Sequence, residues 1–282
     1  MKRELNRKYT IERGIFMEYI KTKIIERFKG YLSWETNFSV DGWENIELYI
    51  ADTLSEAWIQ ARPNDIFLFS DKHFEDMVNS ANGKWLEKQK PDDTYKIILS
   101  TKYNKDIDAL AKTYVHELRH CLDYQNAVKE LSFEEYRVGS NFYIDWSEYR
   151  AVMADTRYEF YIRIKEFKDC TDYQIFCVLS EILGVRSADS VAGLMNSRKD
   201  IHDIRYFISR YVGASRAIRN LNIELNEISS VFHLWTMTPR YINEIFDKTF
   251  YLGNEWDDIE ECNLDAEPKY SYYNDFLETI SK

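Results

Sequence analysis

Apolar residues recur at three- and four-residue intervals through residues 9–29: Ile11, Ile15, Phe16, Tyr19, Ile20, Ile24 and Phe28, interleaved with Arg13, Glu18, Lys21 and Lys23. This period marks an amphipathic helix, and Gly30 is placed to close it. Three short apolar runs follow, Ile46–Ile50, Ile66–Phe69 and Tyr95–Leu99, each of which predicts a strand. The stretches between them, around residues 53–61 and 71–90, mix helical and loop character. The helical period then returns strongly from Ile107 to Leu131, and from Asp145 onward almost every segment reads as helix.

The implied order is one helix, a small sheet, a long helix and a helical C-terminal half. That is an α+β layout with segregated elements. Only 9 Gly and 4 Pro punctuate the chain, which favours long helices over many short strands. A weak boundary near 168–171 divides residues 1–168 from a helical region, 169–282. No Pro- or Gly-rich linker marks it, so the two parts are equally readable as one packed domain.

A net charge of −11 argues against a general affinity for nucleic acid or anionic lipid. The basic positions Arg198, Lys199, Arg205, Arg210, Arg216 and Arg219 read as a solvated helix face. No run of about 18 apolar residues is present, so no membrane span is expected. The basic N-terminus has no apolar stretch after it, as a secretory signal would require. Cys121, Cys170, Cys177 and Cys262 form no CxxC pair or dense framework, which fits reduced thiols and a cytoplasmic setting.

The candidate chemistry lies at His116-Glu117-Leu118-Arg119-His120. Four residues turn a helix by about 400°, so the two histidines stack on one face, one turn apart. Two neutral imidazoles then share a Zn2+ ion, and Glu117 is placed to take a proton from a water beside it. Ile107, Leu110, Ala111, Tyr114, Val115, Leu118 and Leu122 form the apolar stripe of that helix, with both histidines at its edge.

A catalytic zinc needs a third protein ligand and an open position. Metzincin spacing would put that ligand at Asn126, a poor donor, which removes that class. Glu148, in Asp145-Trp146-Ser147-Glu148-Tyr149-Arg150-Ala151, is the downstream candidate. Asp145-x-x-Glu148 also reads as a capping box, in which Glu148 would serve a helix N-terminus. Ala151 favours the ligand role, because a small residue lets a second helix come close. Asp123 shares the histidine face and reads either as an acceptor for an imidazole N–H or as a solvated or intrahelical charge. His73, His202 and His233 lack partners at ligand spacing.

Together, His116-Glu117-Leu118-Arg119-His120-Cys121-Leu122-Asp123 and Ser147-Glu148-Tyr149-Arg150-Ala151 resemble the gluzincin pattern HExxH…ExxA. They are most similar to the lethal-factor-type zinc peptidases. The resemblance covers about residues 95–160 and departs from the pattern at Arg119, where small residues are common. It implies a zincin-like fold, with His116, His120 and Glu148 as zinc ligands and Glu117 as general base.

The expected activity is zinc-dependent hydrolysis of peptide bonds in a peptide or protein substrate. Such enzymes hold substrate as an added strand on a sheet edge, and Tyr95–Ser100 is the candidate edge. Tyr143 and Tyr149 are the candidate donors to the developing oxyanion. The alternative readings are a non-catalytic interaction or regulatory protein on a zincin scaffold, and a hydrolase acting on a non-peptide amide.

Overall fold

A computed structural model describes residues 2–35, 42–90, 93–130, 141–167, 171–196 and 201–224. These described residues form a mixed α+β structure, with one small three-stranded sheet and otherwise mainly helix. The chain forms two compact units, 1–121 and 122–282. The boundary expected at 168–169 lies outside the described residues. No described helix is long and apolar enough to cross a membrane.

The first unit opens with helix α1 (Lys2–Leu32). Ile20, Ile24, Phe28 and Tyr31 are buried, each one turn from the next. Ile15, Phe16 and Tyr19, expected on the same stripe, are exposed. Strand β1 (Ile46–Ala51) follows, then helices α2 (Leu54–Ala61) and α3 (Lys72–Val78), and strands β2 (Gly83–Leu86) and β3 (Tyr95–Ser100).

The sheet order is β1-β3-β2, with β1 parallel and β2 antiparallel to β3. On one side Ala51, Leu54, Ala57, Trp58, Ala61, Val78, Leu86 and Ile98 form a closed apolar cluster. Trp58, Phe69 and Phe74 complete it with ring centroids 5.3–6.0 Å apart. Ile97 and Leu99 alternate to the other face and are also fully buried.

Two expectations are corrected here. The apolar run Ile66–Phe69 is not a strand but part of a 3-10 helix, Pro63–Ser70. Pro63 favours the first turn of a helix, and Ile66 and Phe67 are 60% and 67% exposed instead of paired in a sheet. Tyr95–Ser100 is not an edge strand. It is central, with β1 and β2 hydrogen-bonded on either side.

Helix α4 (Ile107–Glu130) begins in the first unit and continues past residue 121. Asp106 sets its start by accepting the Ala109 N–H at 2.8 Å, an N-cap bond. The second unit also holds α5 (Asn141–Ile164), α6 (Asp172–Asn196) and α7 (Ile201–Glu224), which pack on one another. Tyr158, Phe160, Leu179, Ile182, Ala214 and Ala217 lie in that core.

Buried charges in this unit are paired. Arg186 donates to Asp155 at 2.9 Å and to Glu159 at 2.8 Å, and Arg157 grips Glu224 through both terminal nitrogens. Removing one member of such a set leaves a buried charge without its counter-ion, so the pairs hold the helices in register.

Candidate metal centre

The apolar stripe of α4 folds as its period requires. Leu110, Ala111, Tyr114, Val115, Leu118 and Leu122 are buried, and Tyr114 meets Phe28 of α1 edge-on at 5.4 Å. His116, Glu117 and His120 lie half-buried beside that stripe. The two imidazoles stand edge to face, 4.8 Å between centroids, and their Nε2 atoms are 3.2 Å apart. Two nitrogens bound tetrahedrally to zinc at 2.0–2.1 Å are separated by about 3.3–3.4 Å. The rings thus present their nitrogens at close to chelating separation.

Glu117 points at β2. Its Oε2 accepts the backbone N–H of Trp85 at 3.0 Å. The strand comes this close because residue 83 is glycine. A Cβ there would lie 2.6 Å from Thr113 Cγ2, 2.9 Å from Leu99 Cδ2 and 3.1 Å from Glu117 Cγ. Gly83→Ala is therefore expected to push β2 away from α4, at a cost of about 1–3 kcal/mol. A lowered urea midpoint, with any activity lost in parallel, is the check; an unchanged midpoint would mean the strand relaxes freely.

Glu148 lies on α5 and is buried. The helix already includes Asn141, and Asp145 is within it, so Asp145-x-x-Glu148 is not a capping box at a helix start. Its Oε1 accepts from Arg210 Nη1 of α7 at 3.1 Å. Arg210 also donates to the Tyr206 hydroxyl at 3.0 Å, and its guanidinium lies 5.3 Å from the Tyr206 ring centroid. Burial works against the Arg210 charge, but Tyr206 and Glu148 outweigh it and hold the group above its ordinary range. Arg210 is thus no solvated member of a basic face. Arg198 and Lys199 of that series lie outside the described residues.

Helix α7 reaches this position through Gly213, one turn beyond Arg210. A Cβ at Gly213 would collide with the carbonyl oxygen of Tyr149, the residue after Glu148. Only glycine allows that approach, and it brings Arg210 within reach of the carboxylate. Nearby, Asp123 is buried and paired with Arg150 at 3.5 Å, and the Arg150 guanidinium lies over the Trp146 ring at 4.8 Å. Asp123 is therefore not a solvated charge.

One ligand atom each from His116, His120 and Glu148 lie within 4.8 Å of one another, the donor set that the motif and its spacing select. Two imidazoles and a carboxylate are the chemistry that a catalytic zinc takes.

Among the other candidates, Tyr149 is fully buried, and the side chain of Tyr143 lies outside the described residues. His73 is exposed, while His233 and the side chain of His202 lie outside the described residues. Cys121 is buried and Cys177 exposed, neither in a disulfide. The Trp85 amide, Gly83, Arg210 and Tyr206 were not singled out by sequence as parts of a site. Comparison with protein-family models, curated proteins and solved structures found no match.

Proposed function

We propose that this protein is a zinc-dependent metallopeptidase of zincin-like fold, with His116, His120 and Glu148 as metal ligands. The observation that carries the reading is the 3.2 Å approach of the two Nε2 atoms, with a buried carboxylate in the same cluster. When bound, zinc supplies a Lewis acid that polarises a scissile carbonyl and acidifies a water. Glu117, adjacent to His116 and turned off the buried stripe, takes the proton of the attacking water and passes it to the leaving amine.

Substrate recognition follows from the sheet. With β3 central, the antiparallel edge strand β2 offers main-chain groups to an extended peptide. The contact between the Trp85 amide and Glu117 puts that edge beside the general base. Tyr143 and Tyr149 stay candidates for the oxyanion donor, and the burial of Tyr149 favours Tyr143.

The test is incubation of the zinc-loaded chain with a mixed peptide library, with cleavage read by mass spectrometry. The expected result is cleavage that a chelator abolishes and zinc restores. Stoichiometric zinc with no cleavage of any peptide would leave a non-catalytic binding scaffold in place of an enzyme.

A further inference from the structure

We propose that Arg210 is a positioning residue that restricts Glu148 to one-oxygen coordination of a bound cation. The proposal rests on the reading of Glu148 as a metal ligand. Glu148 is 7% exposed, so its oxygens must find partners within the protein. Arg210 Nη1 engages Oε1 at 3.1 Å, so that oxygen is held and the other would be the one to serve an ion.

Arg210 is not free to follow the carboxylate. Tyr206, one turn earlier on α7, takes a hydrogen bond from the same nitrogen at 3.0 Å and carries the guanidinium against its ring. Helix α7 is itself seated on α5 by Gly213 against the Tyr149 carbonyl. A charge-assisted bond from a donor held this way fixes one oxygen in place.

The consequence concerns the number of places at the metal. With two imidazoles and a water on the ion, a glutamate using both oxygens would make it five-coordinate and fill the place a substrate carbonyl needs. A glutamate using one oxygen leaves the open position that catalysis needs. The role assigned to Arg210 is to keep that position open without touching substrate or metal.

Cobalt(II) in place of zinc makes this readable, because its visible absorption is strong in four-coordinate sites and weak when a fifth ligand is added. The full chain should give the strong spectrum, and it should disappear in His120→Ala. Arg210→Met should weaken the band several-fold at full cobalt loading, whereas Arg210→Lys, which keeps one charged donor, should retain it. Tyr206→Phe removes only the hydroxyl of a residue that is 43% exposed, so folding is not at issue. It should weaken the band in the same direction.

If cobalt bound in a His120-dependent way and both Arg210→Met and Tyr206→Phe kept the wild-type spectrum, this proposal alone would fall. Absence of His120-dependent cobalt binding in the wild type would overturn it together with the metal-site reading.

Discussion

Replacing Glu117 with glutamine is expected to lower peptide hydrolysis by about 10²–10⁴-fold, the usual worth of a positioned acid–base group, while metal content stays at the wild-type level. Glutamine keeps the length of the side chain and an oxygen that can still accept the Trp85 N–H, now 3.0 Å from Glu117 Oε2. The packing between β2 and α4 should therefore survive, and thermal unfolding should be little changed. What glutamine cannot do is accept a proton from water at neutral pH. The measurement is kcat/KM alongside zinc per chain for both proteins. Equal kcat/KM would remove Glu117 from the chemistry, whereas lost zinc would mean that the residue builds the site instead.

Replacing His120 with alanine should have the second large effect, on the metal itself. Removing a hydrogen-bond partner of a metal ligand typically costs about 10–100-fold in affinity, and losing a ligand outright should cost more. The helix should tolerate the change, because His120 is half-buried beside the apolar stripe and alanine is a strong helix former. The metal-free variant should then melt near the metal-free wild type. The two should part on adding zinc: the wild type gains about 2.7 kcal/mol at zinc 100-fold above Kd, by mass action, and the variant gains almost nothing. Equal zinc-induced stabilisation would place the binding site elsewhere.

What could be read from sequence divides along physical lines. Helix α4 was legible because its stripe repeats with the period of a helix. His116 and His120 came with it, since their spacing alone stacks them on one face. Glu148 was legible as a carboxylate at a plausible distance, and of its two readings the capping box fell once α5 proved to include Asn141.

The failures have causes of their own. Ile66–Phe69 is a four-residue apolar run, too short for periodicity to separate strand from helix, and Pro63 was the overlooked signal. Strand β2 has only four residues, and its contribution to the site is a backbone N–H, which no side-chain pattern encodes. Gly83 was the trace it left: a glycine within a strand often marks a close approach. Arg210 was hidden among similar basic positions, and only the packing of α7 on α5 separates it from them.

The decisive measurement is anomalous diffraction at the zinc edge from crystals of the full chain grown with zinc. The expected result is one strong peak, about 2.0–2.2 Å from Nε2 of His116, Nε2 of His120 and one oxygen of Glu148. A well-ordered site without such a peak, its two imidazoles still 3.2 Å apart and bonded to each other, would show that this arrangement is a structural pair and not a metal centre.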